Sequence, residues 1–229
     1  MNSIVIIILG IIVIILLFVL YVYFTSSVSP LIKYVNLNDT PITSIPYSSI
    51  TNPLSTRFAY SVWIYVNSWK NLSTTNTNVF YRHNEVGISF DKTRPILYCN
   101  FNNDNGEVSN KTTTIIVSNN FPIQTWTNVI LNIDNNYLDV YINGQLVRSN
   151  VLSDQYTQLN QPNDIKIGDS KNGSDIYLAN LKRWGGSINP QTAYYDYLSG
   201  LQQLPADSST YNFKLSLLKD NNLLQSLKL

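Results

Sequence analysis

One histidine, one cysteine, one methionine and two glutamates, Glu85 and Glu107, are all that a chain of 229 residues offers of several side chains most used in catalysis and soft-metal binding. A lone His83 excludes a conventional His-based metal site and leaves a Ser–His–Asp triad without support, so its ordinary role is an exposed loop residue beside Arg82 and Asn84. With Cys99 alone no intramolecular disulfide can form, so the fold must hold through its core, and the chain leans toward a reducing compartment. Cys99 itself reads as a small buried hydrophobe in a strand. Charge is equally scarce. Charged residues make up 13% of the chain and sum to a net +1, so there is no basic stripe to neutralise phosphates, and nucleic acid is excluded as a partner. Asn, Ser and Thr must supply the polar surface, while 16 Tyr and 4 Trp supply the large amphipathic side chains that strands favour.

What the chain has in excess is one hydrophobic run. From Ile4 to Phe24 no residue is charged or strongly polar. At 1.5 Å per residue that stretch makes a helix of roughly 31 Å, about one bilayer core. Strands rarely exceed about ten residues, so length argues against a buried strand. The rival is a cleaved signal peptide, whose apolar region runs about 7–15 residues behind a basic start. Here only Asn2 and Ser3 separate Met1 from the run, and Pro30 directly follows the cleavage-like Ser27-Val28-Ser29. The expectation is a retained single-pass anchor in a lipid bilayer over residues 1–24, marked by Ile4, Leu9, Ile14, Val19 and Phe24, with Tyr21 and Tyr23 at the interface. The nearest basic residue after the run is Lys33, and with the missing disulfides it tips the domain to the cytoplasmic side. Sequons at Asn71, Asn110 and Asn172 carry no weight in so Asn-, Ser- and Thr-rich a chain.

Residues 25–54 hold Pro30, Pro41, Pro46 and Pro53 among Ser, Thr and Asn, which reads as an extended tether with room for one short strand. From 55 to 220 the pattern becomes period-2 runs broken by Asn, Asp and Gly, the mark of an all-β sandwich or barrel. Phe58, Tyr60, Val62, Ile64 and Val66 fall on one face of a strand and Trp63 and Tyr65 on the other, so both faces are apolar and the strand is expected to be central. Further strands are expected at Val79–Arg82, Gly87–Phe90, Ile96–Phe101 and Thr113–Val117. Trp126–Ile133, Tyr137–Ile142 and Gln145–Arg148 read as a meander whose second turn, Asn143-Gly144, suits type I′. Ile165–Gly168 and Ile176–Trp184 follow. Tyr211, Phe213, Leu215 and Leu217 alternate as a closing strand, and residues 221–229 read as a short helix or tail. After Gly185-Gly186 and Asn189-Pro190, the cluster Tyr194, Tyr195 and Tyr197 reads as a short helical turn packed on the sandwich edge.

The strand Phe58-x-x-Ser61-x-Trp63-Ile64, then Trp126-Thr127-Asn128-Val129, then Leu138-x-Val140-Tyr141-Ile142-Asn143-Gly144-x-Leu146-Val147 resemble the concanavalin A-like lectin/glucanase superfamily in its laminin-G-like branch. Asp164-Ile165-Lys166-Ile167-Gly168 and Tyr177-Leu178-Ala179-Asn180-Leu181-Lys182-Arg183-Trp184 continue the likeness, which covers roughly residues 55–200. The short anchor and Asn-rich style are similar to membrane-anchored members encoded by large DNA viruses. The resemblance implies a two-sheet antiparallel jelly-roll sandwich that binds through loops and faces. It leaves function open, because this architecture serves sugar binding, hydrolysis and protein adhesion alike.

Glucanases of the superfamily need two carboxylates on one strand facing a cleft, and no Glu-x-Asp-x-x-Glu pattern occurs here. Glu85 and Glu107 read as turn or loop, as do Asp134, Asp154, Asp164 and Asp169. No catalytic residue and no cofactor is expected. Calcium stays open as the one ion that Asn102-Asn103-Asp104-Asn105 or the loop from Asp169 through Asn172 to Asp175 would take, although neither matches a defined calcium loop. Trp63, Trp126 and Trp184 read as core. Trp69, in a polar stretch, reads as a rim residue that caps the sandwich or contacts a partner. Candidate ligand or partner contacts are therefore Trp69, Asp104, Asn105, Asp169 and Asn172. The expected function is a non-enzymatic structural protein, a minor capsid or membrane-associated virion protein in contact with other capsid proteins, and the alternative is a membrane-bound lectin for glycans.

Overall fold

The computed structural model describes residues 3–25, 28–37, 43–69, 77–83, 85–103, 111–152, 163–168, 175–204, 214–219 and 222–228. An N-terminal helix α1 (Ser3–Thr25) precedes fourteen strands among the described residues, with one further α-helix late in the chain. The strands are β1 (Val28–Asn36), β2 (Thr43–Ile45), β3 (Arg57–Ser68), β4 (Thr77–Arg82), β5 (Val86–Phe90), β6 (Leu97–Asn103) and β7 (Lys111–Ser118). They continue as β8 (Thr127–Asp134), β9 (Tyr137–Ile142), β10 (Gln145–Val151), β11 (Ile165–Ile167), β12 (Asp175–Trp184), β13 (Lys214–Lys219) and β14 (Asn222–Lys228), with α2 (Pro190–Leu201) after β12.

Two six-stranded antiparallel sheets stack as a sandwich. The first runs β1-β12-β3-β8-β9-β10 and the second β2-β11-β4-β5-β6-β7. Phe58, Tyr60, Val62, Ile64 and Val66 of β3 enter the interior with Val79, Phe80, Ile88, Phe90, Leu97 and Cys99 of the second sheet. Each such side chain contributes about 1.5–3 kcal/mol by leaving water. Burial also pushes the Cys99 thiol well above its ordinary value, so it stays an inert packing group. The Asn143-Gly144 turn has φ of +50° and +74°, the signs a type I′ hairpin requires.

The Pro-rich stretch expected as a tether does more than connect. β1 pairs with β12 and β2 with β11, so each sheet takes an edge strand from it, and Pro30 is accommodated because β1 has an unpaired outer side. A second difference lies at the C-terminus. β13 pairs with β14 alone, so the strand holding Leu215 and Leu217 closes a separate hairpin rather than the sandwich, and the expected helix or tail over 221–229 is its return strand. Tyr211 and Phe213 lie outside the described residues.

The third difference is α2. It has twelve residues and lies on the outer face of the first sheet, not at the sandwich edge. Asn189 caps it by accepting from the Thr192 amide at 2.8 Å, and Pro190 occupies the first turn, where no amide partner is missed. Ala193, Asp196 and Gly200, spaced for one helix face, are buried. The ring of Tyr197 stacks on Trp63 with centroids 5.6 Å apart, and Ala193 packs with Ile130 and Tyr141.

In α1 the side chains of residues 8–20 are described, and every one is exposed, including Leu9, Ile14 and Val19. Those of Ile4 and Phe24 lie outside the described set. Among the described residues no helix is long and apolar enough to cross a membrane.

Gly200 sits where the Trp63 indole needs the space: a Cβ there would lie 2.3 Å from Nε1. In an open helix position Gly→Ala would add about 1 kcal/mol. Gly200→Ala is expected instead to lower stability by about 1–3 kcal/mol through overpacking, measured as a lower urea midpoint at unchanged slope.

Candidate functional site

Glu85 was expected in a loop and is among the most buried polar residues of the protein. Its Oε2 accepts from Arg82 Nη1 at 2.6 Å and from the Tyr60 hydroxyl at 3.1 Å, and its Oε1 lies 3.5 Å from Arg183 Nη2. All three charged side chains are 0% exposed. Arg82 stands at the end of β4 and Arg183 on β12, so the cluster bridges the two sheets. The guanidiniums also donate to carbonyls of the segment before β3: Arg82 to Pro53 at 2.8 Å and Arg183 to Thr51 at 2.6 Å. Burial, and then the Glu85 carboxylate, hold the Tyr60 phenol far above its ordinary value, so it remains a donor. A carboxylate enclosed this way cannot reach a substrate; its chemistry is structural. Glu107 lies outside the described residues. Among the described residues no group of His, Cys, Asp and Glu is placed to hold a metal ion.

The outer face of the second sheet is polar and ordered by strand register. One cross-strand row is Lys166, Tyr81, Gly87, Asn100, Thr114, and the next is Asn78, Ser89, Tyr98, Ile116. Gly87 has no side chain there because a Cβ would meet the Tyr81 Cβ at 3.0 Å. The result is a shallow trough floored by Gly87 and Ser89 between half-buried Tyr81, Tyr98 and Asn100. Asn100 donates to Ser89 Oγ at 2.7 Å and accepts from Thr114 Oγ1 at 3.0 Å, which fixes the amide. Tyr98 donates to Asp91 at 3.2 Å, while the Thr93 amide, foremost, holds that carboxyl below its ordinary range. Ring faces beside fixed amide and hydroxyl groups suit a ligand with both apolar C–H faces and hydroxyls.

A second surface is apolar. Edge strand β10 exposes Leu146, Val147 and Val151, and α2, which packs beside it, exposes Tyr194, Tyr195, Leu198 and Leu201. The β9–β10 turn locks onto α2, since a Cβ on Gly144 would meet Tyr194 Cα at 3.1 Å.

Of the residues singled out in the sequence, Trp69 is half-buried at the end of β3, its ring edge-to-face on Phe90 at 5.5 Å. Asp104, Asn105, Asp169 and Asn172 lie outside the described residues. Trp63 and Trp184 are buried and Trp126 packs on Tyr65. His83 is exposed. Asp134, expected in a turn, is the last residue of β8 and pairs with Arg57, and Asp164 accepts from the Tyr47 amide at 2.8 Å, so both tie together segments distant in sequence rather than a local turn. Sequence reading missed Arg82, Arg183 and the trough. Arg183, the third of Leu181-Lys182-Arg183-Trp184 in an apolar strand, was the signal available for the cluster. The trough left none, because it exists only once register is set.

The family model described as the concanavalin A-like lectin/glucanases superfamily matches residues 35–195. No curated protein matches the chain. Among solved structures it is similar to the botulinum neurotoxin serotype D binding domain, at 12% identity and TM-score 0.60, covering 80% of this chain and 49% of that one. The binding domain of botulinum neurotoxin DC in complex with rat synaptotagmin II matches at 14% and 0.54, covering 76% and 46%. A structure of botulinum neurotoxin type C, a toxin whose cell entry is described as dependent upon interaction with two ganglioside molecules, matches at 14% and 0.53, covering 76% and 46%. This chain spans less than half of each of those structures, and identities this low establish the shared fold.

Replacing Glu85 by Gln keeps the shape and strands two buried guanidiniums. The expected loss is about 3–5 kcal/mol by chemical denaturation, partly recovered when Arg183→Met is added, since the second change removes one unpaired charge.

Proposed function

Because the chain belongs to the concanavalin A-like lectin/glucanases superfamily, we propose that it acts as a membrane-anchored, non-enzymatic interaction protein. The observation that carries this reading is the exposed apolar surface of β10 and the first turns of α2, with Leu146, Val151, Tyr194 and Tyr195 each more than a third accessible. A monomer seldom leaves such a surface beside an open strand edge without a partner. Support for the anchor comes from α1, whose described side chains are apolar on every side and exposed, a pattern at home in lipid and costly in water. In a large DNA virus this describes a minor capsid or membrane-associated virion protein, its helix in the inner membrane and its domain facing the shell on the cytoplasmic side. Anchoring raises the local concentration of the domain at one surface, so weak contacts with capsid proteins suffice.

Carbonate extraction and protease protection of intact membranes test the anchor: the chain is expected to stay in the membrane fraction, and recovery in the aqueous fraction would sink it. Cross-linking tests the surface. Leu146→Lys with Val151→Lys is expected to abolish cross-links to neighbouring proteins without releasing the chain from the membrane.

The trough on the second sheet favours glycan binding as a second reading, because half-buried Tyr81 and Tyr98 lie beside the fixed amide of Asn100. Tyr81→Ala is expected to reduce glycan-array binding by about tenfold, the loss of one stacking contact of about 1.4 kcal/mol; an array with no signal for the unaltered chain would remove this reading.

A further inference from the structure

A cavity of about 590 Å³ opens where β1, β12 and the end of α2 meet. Its position follows from two irregularities at the same place in the sheet. The β1–β12 register shifts between Pro30 and Ile32, and the β12–β3 register shifts between Ala179 and Lys182. Asn180, at the second shift, adopts φ of +50°, which Asn tolerates better than most residues. Paired bulges of this sort open a sheet locally and re-aim side chains, and they are enriched beside functional sites.

The groups that line this cavity have one chemical bias. Asn180 carries a buried Nδ2 with no hydrogen-bond partner, a cost that a ligand acceptor would remove. Lys33 is exposed, and no carboxylate pairs with it among the described residues. Lys182 is held by Asp196 of α2, which leaves two of its three ammonium hydrogens for another acceptor. Gln203 adds an amide. The remaining wall is apolar, from Leu31, Ile32 and Leu181. Donors beside apolar side chains in a cavity of this size fit an amphipathic anion, and the volume is within the range of small-molecule sites.

We propose that this cavity binds a phosphate-bearing amphipathic ligand, its phosphate oxygens taken by Asn180 and Lys33 and its apolar part laid on the half-buried Leu31 and Ile32. The chain path names the nearest source. β1 begins three residues after α1 ends, and Lys33 lies eight residues beyond Thr25, at most about 28 Å along extended chain. With α1 in a bilayer, which rests on the reading given above, the cavity stands at the level where anionic headgroups are available.

The test uses the full chain in a non-ionic detergent, titrated with dihexanoyl phosphatidic acid, dihexanoyl phosphatidylcholine and inorganic phosphate by isothermal calorimetry. Saturable binding of dihexanoyl phosphatidic acid is expected, at least tenfold tighter than inorganic phosphate. Asn180→Asp, which keeps the backbone preference and replaces a donor by a negative acceptor, is expected to weaken it at least tenfold, and the exposed Lys33→Gln severalfold. Equal affinity for inorganic phosphate would keep the anion site and assign it to free phosphate rather than lipid. No saturable binding of any of the three, or binding untouched by both substitutions, overturns the proposal. Carbonate extraction reports on the anchor separately, so the two readings fail independently.

Discussion

Strand β3 is buried on both faces, and the positions of the other elements follow from that. Its inner residues, Phe58 to Val66 in alternation, meet the second sheet, as any sandwich strand would. Its outer residues cannot face water either, because Trp63 there is 0% exposed and Ser61 is buried with it. A sheet with two apolar faces needs a third layer. α2 is that layer, and its face is cut to β3: Tyr197 stacks on Trp63, Gly200 leaves room for the indole, and Asp196 accepts from Ser61 at 2.6 Å. Asn128 donates to the same Ser61 hydroxyl at 3.0 Å, so the polar groups of this second interior are joined in one chain of bonds. With the helix committed to the first sheet, no helix among the described residues covers the outer face of the second sheet, where the trough lies.

The charged cluster of Arg82, Glu85 and Arg183 works at right angles to this layering. Three charges withdrawn from water are weak evidence of stability, since an apolar substitute often does as well. Their geometry points to another use. The guanidiniums reach carbonyls at Thr51 and Pro53 on a segment with no strand partners of its own, and one carboxylate couples a residue from each sheet. The ions therefore set how the entry segment of β3 closes over the end of the sandwich. Spending the buried Glu85 on that task leaves it unavailable for hydrolysis.

The sandwich was legible because its signals are local: period-2 runs, Asn-Gly at a turn, and length for the N-terminal run. β3 to β12 lie within a few residues of where alternation puts them. Three features were not legible, each for a physical reason. The proline-rich stretch looked like a tether because Pro depresses strand propensity, yet an edge strand has a free side on which the missing amide does no harm. α2 looked like a single turn because its buried face is Ala193, Asp196 and Gly200, residues that carry little hydrophobic periodicity; the Asn189-Pro190 cap was the better signal. The trough and the charged cluster depend on pairing across strands far apart in sequence, and register of that kind is fixed by the assembled core.

Unbroken alternation along β12 would carry the inward face from Ile176 and Leu178 to Asn180 and turn Leu181 outward. The register slips against both neighbours instead, Asn180 sits at φ +50°, and Leu181 takes the core position at 1% exposure. The slip therefore keeps an apolar side chain inside and moves the amide out of the core. Its local effect is to hold an amide with an unpartnered Nδ2 at the wall of a cavity beside the first strand after the helix. Strain and an unmet donor in one residue both add to the free energy of the empty state, and a ligand supplying an acceptor relieves the second of them. Such a ligand would join β1 to β12, whose other neighbour is β3, the strand on which both layers of the core are built.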